Sequence, residues 1–588
     1  MKTIYNIKAL FILVLSGFSC SIVAQESVNR ELTVEREYAP SVQDANKVNT
    51  LPAIKEPVVS KQFINYATFA RPIEPERELS ILPSGNIMTD IAYNKRKGYL
   101  NFGIGTYLNI NADAGYHILD TDKDQLNILF SHRSTSGNRK YLQQGWDNIK
   151  TKAKLNDNAG GIGFRHQFRQ AALKLGAGYG YSSFNYYGLP GVGVNSFSSA
   201  APVSPSDKYP LTNDMNQANQ LIKVYTGIES KEDADIKCVL DLDYTNFSYK
   251  YGLSKDTEGI TEHSMGGKLV LSQRMGGSQR IGIGGKFNYF NYSLPDGIFL
   301  FENYFEGTLN PYYIINGNNW NAKLGAKIML ITGDSSKFFV SPDLKADITI
   351  GNKTVLYLIA DGDIRSNSAY QLSRENRYIN PERGALPSRT WLDAIIGLKS
   401  GVAPGFWFNL FAGYKITDKD YFFIPALNYW GLPNVSNTLS LNSKRFQGGL
   451  EMTYAYRELF EIMLKGTYYK WGMEKKGDRF YGYIPTLKYE AYGRPTMEFN
   501  AGITTRPVDN FTLKLDYYLV AGRKTYVSGA ENEQMKNIHE LNFTGSYHLN
   551  DTFGAYLKLN NLFFQKYELR YGYPLQGFNA MVGINLNF

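Results

Sequence analysis

Phe578-Asn-Ala-Met-Val-Gly-Ile-Asn-Leu-Asn-Phe588 is the stretch on which the reading of this chain turns. Side chains on a β-strand alternate between two faces. Phe578, Ala580, Val582, Ile584, Leu586 and Phe588 therefore share one face, which is apolar throughout. Asn579, Met581, Gly583, Asn585 and Asn587 share the other. A strand of this kind suits a soluble antiparallel sheet, and it suits the wall of a membrane barrel with lipid on one side. The rest of the chain decides between them.

The same alternation recurs upstream. Phe511, Leu513, Leu515, Tyr517 and Leu519 alternate with Thr512, Lys514, Asp516 and Tyr518. Leu541, Phe543, Gly545, Tyr547 and Leu549 alternate with Asn542, Thr544, Ser546 and His548, and Phe553, Ala555, Leu557 and Leu559 with Gly554, Tyr556, Lys558 and Asn560. The connections add an independent signal, because they run long and short in turn. Phe564 to Gln576 is long and Leu549 to Asp551 tight; Ala521 to Asn537 is long and Pro507 to Asn510 tight. Arg365 to Ser388 is long and Gly351-Asn352 tight, while Glu229 to Asp235 is short beside the long stretch Tyr186 to Asn216. Bacterial barrels join their strands by short periplasmic turns and long external loops. A soluble sandwich has no reason to keep that asymmetry in phase. The fold class is therefore all-β: a large antiparallel transmembrane β-barrel of about 22 strands, within a range of about 18 to 26. Termini on the periplasmic side require an even number. Between Gly98 and Leu119 the pattern fits one strand or two.

Bulk composition agrees. Mean hydropathy is −0.33, and after residue 18 no apolar run reaches the roughly 20 residues that a membrane-spanning helix needs. A barrel keeps mean hydropathy low because only alternate residues meet lipid. The 44 Tyr, 34 Phe and 55 Gly fit aromatic girdles and tightly turned strands. The net charge of +9 comes without a basic element, which argues against a nucleic-acid partner. Cys20 and Cys238 are the two cysteines. Loss of the first with a leader leaves one thiol and no internal disulfide.

Three segments follow. Residues 1–24 carry Lys2 and Lys8, an apolar run from Ala9 to Leu15, and Ile22-Val23-Ala24 before Gln25, the layout of a cleaved signal peptide. Residues 25–95 are interrupted by Pro40, Pro52, Pro57, Pro72, Pro75 and Pro83, and read as an extended periplasmic arm or a lumen-filling segment. Residues 96–588 form the barrel.

Asn560-Asn561-Leu562-Phe563, Lys566-Tyr567-Glu568, Tyr571-Gly572-Tyr573-Pro574 and Gly577-Phe578 resemble the run before the closing strand of TonB-dependent receptors. Asn380-Pro381-Glu382, Leu386-Pro387-Ser388 and Gly397-Leu398-Lys399 resemble the approach to a mid-barrel strand of that family, with Ser388 where Glu is usual. The resemblance covers mostly the last 200 or so residues. It implies a 22-strand barrel in the Gram-negative outer membrane, with both termini periplasmic. It also implies contacts with outer-membrane lipid and lipopolysaccharide, and with the barrel-assembly machinery during insertion. In that setting Phe578, Val582, Ile584, Leu586 and Phe588 form a membrane-insertion signal. The chain departs from the family in showing no segment that reads as a globular plug. Glu31 to Glu37 resembles a TonB box, the short strand that pairs with a periplasmic energy-coupling partner.

Chemistry beyond transport is sparse. The six histidines lie scattered, with none in metalloprotease spacing, and no metal-ligand cluster or cofactor motif stands out. Ser131-His132 is the best nucleophile–base candidate. Gly176-Ala-Gly178-Tyr-Gly180 and Gly282-Ile-Gly284-Gly285 read as small residues on strands, since no helix follows them. Arg365, Arg374, Arg377 and Arg383 sit on one long loop and are the candidate ligand contacts. The leading expectation is a non-enzymatic barrel that transports solutes across the outer membrane. The alternatives are a barrel that partners an envelope assembly or secretion complex, and a barrel enzyme.

Overall fold

The computed structural model describes residues 96–588 apart from residues 190–215, 232–233, 254–256, 296–300, 334–336, 352, 427–434, 475–487 and 527–531. The signal peptide, the arm and Glu31 to Glu37 lie outside these residues, as do Asn352 and most of the loop after Tyr186.

Twenty-two strands form one antiparallel sheet, each pairing with its neighbours in the chain. The sheet closes on itself. Gly98–Gly105, the first strand, pairs with Asn579–Asn587, the last, in a register running from Tyr99 opposite Asn587 to Gly105 opposite Met581. Backbone bonds between Gly98 and Phe588 (2.8 and 2.9 Å) finish the seam. Closure leaves no unpaired edge, which is what a sheet in hydrocarbon needs.

The stretch from Gly98 to Leu119 resolves into two strands, Gly98–Gly105 and Asn109–Asp120, joined by a one-turn 3-10 segment, Thr106–Leu108. The even count follows, and the first and last strands begin and end at the same rim as the short turns. Ten connections at that rim have two to five residues. Every long loop leaves from the opposite rim.

The final strand shows how the wall divides. Val582 and Phe588 are 56% and 59% exposed on the outer face, while Met581 and Asn585 are 6% and 8% exposed on the lumen face. Phe588 stacks on Tyr116 with centroids 6.2 Å apart. Outward-facing Trp320, Tyr454, Tyr456 and Tyr547 lie at the same short-turn end, the position of an interfacial girdle. On the lumen face, aromatic rings cross the strands. Tyr556 lies over Gly583 and Gly103 at the seam, where an added Cβ would strike the ring. Gly176 and Gly282 likewise receive Tyr225 and Tyr312. At these positions glycine leaves a slot for a tyrosine on the neighbouring strand.

Wall height is uneven. The strands Phe406–Ala426 and Val435–Tyr456 have 21 and 22 residues, against 8 each for Gly98–Gly105 and Phe553–Asn560. The tall side supplies the surface onto which the long loops fold.

Candidate functional site: a cap of loops across the lumen

The loop between the strands Thr354–Arg365 and Ser388–Ala403 turns inward over the barrel mouth. Its first part is a short helix, Ala369–Glu375. Ser368 caps the helix by accepting a hydrogen bond from the Gln371 N–H, and Arg374 in the last turn faces the negative end of the dipole. Ala369 and Leu372, three positions apart, form its buried face against Phe247, Tyr249, Ile260, Ile379, Tyr421 and Phe423 of the inner wall and neighbouring loops. Burial of Leu372 alone is worth about 1.5–3 kcal/mol.

The helix ends in a charge cluster. The Glu375 carboxylate, 3% exposed, lies 2.7 Å from Arg365, 3.3 Å from Arg494 and 3.9 Å from Arg570. The Tyr421 hydroxyl donates to it as well, and Arg570 also donates to the Glu375 carbonyl (3.2 Å). Burial by itself would raise this carboxyl; the guanidiniums of Arg494, Arg365 and Arg570 outweigh it and hold the group below its ordinary range. One carboxylate thus ties together three loops and the inner wall.

Beyond the helix the loop reaches the far wall. Arg377 makes a two-pronged bond to Asp157 (3.2 and 3.1 Å) on the strand Lys150–Gln167, beside the Phe184 ring. The fork geometry suits a carboxylate. Tyr378 stacks on Tyr573 with centroids 4.0 Å apart, and Tyr187 sets its edge against both rings. These tyrosines come from three different loops. Tyr378 and Asn380 also share backbone bonds with Ser436, a parallel bridge that pins the loop to the tall wall.

The loop before the final strand forms the other half of the cap. Asn561 opens it at a φ of 55°, a left-handed conformation that Asn tolerates, and its side chain bonds the Gln565 N–H and carbonyl. Glu568 is buried and accepts hydrogen bonds from Gln143 (2.7 Å) and the Gly572 N–H (2.9 Å). Burial pushes its carboxyl up to about 7. Arg523, 1% exposed, donates to the carbonyls of Leu569 and Lys536; burial, then the charge of Arg570, brings its guanidinium down to about 10. A cavity of about 280 Å³, counting space open to solvent, lies between Phe423, Ser436, Gly493, Tyr571 and Arg570.

Of the four loop arginines singled out in the sequence, Arg365 and Arg377 hold the cap by ion pairs and Arg374 lies over the Tyr370 ring at 5.7 Å. Arg383 follows the segment bridged to Ser436, its N–H donating to the Asn380 carbonyl. Glu375, Arg494, Arg570 and the three tyrosines carry no local signal, because their partners lie on other loops. Ser131 and His132 point to opposite faces. Ser131 donates to Asp113 (2.7 Å), whereas His132 bonds Asn158 (2.8 Å) and Ser134 (3.1 Å), so the two do not form a dyad.

A closed 22-strand barrel with inward-folded loops at one rim is the fold of outer-membrane receptor barrels. The FrpB iron transporter from Neisseria meningitidis aligns with a TM-score of 0.63 at 11% identity, over 84% of this chain and 82% of that one. The receptor FpvA of P. aeruginosa bound to heterologous pyoverdines gives 0.58 at 12% identity, over 84% and 72%. The copper transporter OprC gives 0.59 at 11% identity, over 84% and 80%. Compared by sequence, the chain matches no family model and no curated protein. The likeness is one of fold.

Proposed function

We propose that this protein is an integral outer-membrane barrel that moves solutes across the Gram-negative outer membrane, with the loop cap as its gate. The observation that carries the reading is the lumen mouth itself. A wall of 22 strands encloses a wide channel, and here it is covered by loops held through the Glu375 cluster and the Arg377–Asp157 pair. The relatives by fold named above include an iron transporter and a copper transporter. In this reading Arg365, Arg374, Arg377 and Arg383 present the loop to an incoming solute, and solute contacts compete with the ion pairs that keep the cap down. Phe578, Val582, Ile584, Leu586 and Phe588 serve as the insertion signal. The long-loop rim faces the exterior and both termini face the periplasm, where residues 25–95 meet an energy-coupling partner. Solute flux into proteoliposomes tests this. Small sugars and amino acids should enter faster when the cap is destabilised, and equal exclusion by wild-type and cap variants would refute transport through the lumen.

A further inference from the structure

Arg445 stands on the tall wall strand Val435–Tyr456 and is 3% exposed. Its neighbour Phe446, 45% exposed, points outward, and strand alternation sends Arg445 into the lumen. Across the ladder it faces Lys415 on one side and Trp471 on the other. The guanidinium lies over the rings of Trp471 (5.5 Å) and Tyr469 (5.6 Å). Its Nε has no hydrogen-bond partner, and the group enters no ion pair among the described residues.

The acids around it are engaged elsewhere. Glu498, within electrostatic reach of Arg445, accepts from the Tyr469 hydroxyl (2.9 Å). Asp393 pairs with Lys415 (3.4 Å), and Asp420 accepts from Ser443 (2.7 Å). Arg365, Arg377, Arg494 and Arg570 in the cap each meet a carboxylate, whereas Arg445 meets none. Ring faces return only part of the hydration that a buried cation gives up. An uncompensated positive charge therefore faces the lumen.

The contacts that hold the cap down continue to this cation. The Trp471 Nε1–H donates to the Pro495 carbonyl (3.0 Å), and the Phe422 ring packs nearly perpendicular to Trp471 (6.3 Å). Arg494, beside Pro495, lies over Phe422 (5.9 Å) and pairs with Glu375.

We propose that Arg445 is the lumen docking point for an anionic solute bearing a carboxylate or phosphate group, and that the closed cap shields it. The planar guanidinium fork matches paired oxyanion oxygens, and Lys415 directly opposite adds a second positive charge to the approach. A neutral sugar brings no charge to compensate Arg445. Lifting the cap separates Pro495 from Trp471 and opens the guanidinium to the solute. The proposal rests on the reading of the lumen as the solute path and of the loops as its gate.

The test is calorimetric titration of full-length protein in neutral detergent at constant ionic strength, with sodium phosphate, sodium acetate and glucose as probes. Leu372→Ala loosens the cap without removing a charge, since Leu372 packs in its apolar core. Wild type should bind the two anions weakly and L372A tighter by roughly tenfold or more, because a mostly closed site shows an affinity lowered by its open fraction. R445Q, alone or combined with L372A, should lose roughly ten- to a hundredfold through the missing charge-assisted hydrogen bonds. R445K, a second variant that keeps the charge and loses the fork, should fall between them. Only heat-modifiable, folded barrels are compared. The tighter of phosphate and acetate identifies the oxyanion. Equal anion binding with and without Arg445 overturns the site, as does glucose binding as tight as phosphate; either result leaves transport through the lumen standing. Binding that is lost in R445Q yet equal in wild type and L372A overturns the shielding, and with it the gate in the proposed function, while the anion site stands.

Discussion

Glu375→Gln removes one charge and almost no volume, so it tests the cap electrostatically. In the wild type a carboxylate 3% exposed faces Arg365 at 2.7 Å, Arg494 at 3.3 Å and Arg570 at 3.9 Å. The amide leaves three guanidiniums crowded without their shared anion. Two unit charges 4 Å apart interact by about 4 kcal/mol at an effective dielectric of 20. Breaking a buried pair by removing one partner costs about 3–5 kcal/mol. The two figures agree, and the barrel wall shares none of this loss because its ladder is independent of the cap. At about 1.4 kcal/mol per factor of ten, the cap-open population should rise roughly a hundred- to several-thousand-fold. Hydrogen exchange on the folded protein reads this directly: amides of Ala369–Glu375 and of Glu568–Arg570 should lose protection in E375Q, while those of Phe406–Ala426 keep theirs. Wild-type protection across the helix in E375Q would refute the reasoning, since the cluster would then not hold the cap.

Other consequences follow from the same geometry. Deleting Phe588 removes the ring stacked on Tyr116 and the backbone pair with Gly98; outer-membrane levels of the heat-modifiable form should fall, and normal levels would contradict the insertion signal. Gly176→Val places a branched side chain under the Tyr225 ring and should hinder barrel folding by overpacking of about 1–3 kcal/mol, with Y225A restoring the folded band. Glu568 carries a folded-state value near 7 against an ordinary 4.5, with Gln143, the Gly572 N–H, Arg523 and Glu533 around it. The folded cap therefore binds the proton more strongly than the open one, so its stability is present at low pH and is lost as pH rises towards about 7. Exchange protection of Glu568–Arg570 should follow that slope in wild type and lose it in E568Q.

The barrel was legible because lipid on one side and a polar lumen on the other force strict alternation, and because short and long connections kept phase over hundreds of residues. The strand count was uncertain only where local chemistry misleads. Thr106–Leu108 turns the chain with Tyr107 and Leu108 at φ of 57° and 48°, conformations that turn signals based on Gly, Asn or Pro do not anticipate. The cap was legible as a loop rich in arginine and not as a mechanism. Arg365 and Arg377 read as ligand contacts because their acceptors lie elsewhere: Glu375 is buried only once Arg494 and Arg570 arrive from other loops, and Asp157 sits on a wall strand across the lumen. Pairings of that kind leave no period in the chain. The Tyr187, Tyr378 and Tyr573 stack is hidden for the same reason, each ring being one aromatic among 44 tyrosines.

Arg365 and Ser388 are direct partners in the wall, so residues 366–387 can be exchanged for a two-residue Asn-Gly turn that continues the hairpin. Removal of this segment takes away Glu375, Arg377 and Tyr378 together while the 22-strand ladder stays whole. Single-molecule conductance across a planar bilayer then asks whether the barrel is a gated path. Wild-type protein should hold little current, and the shortened protein should give large, long-lived openings. Equal and negligible conductance from both, with each inserted as a folded barrel, would contradict the account.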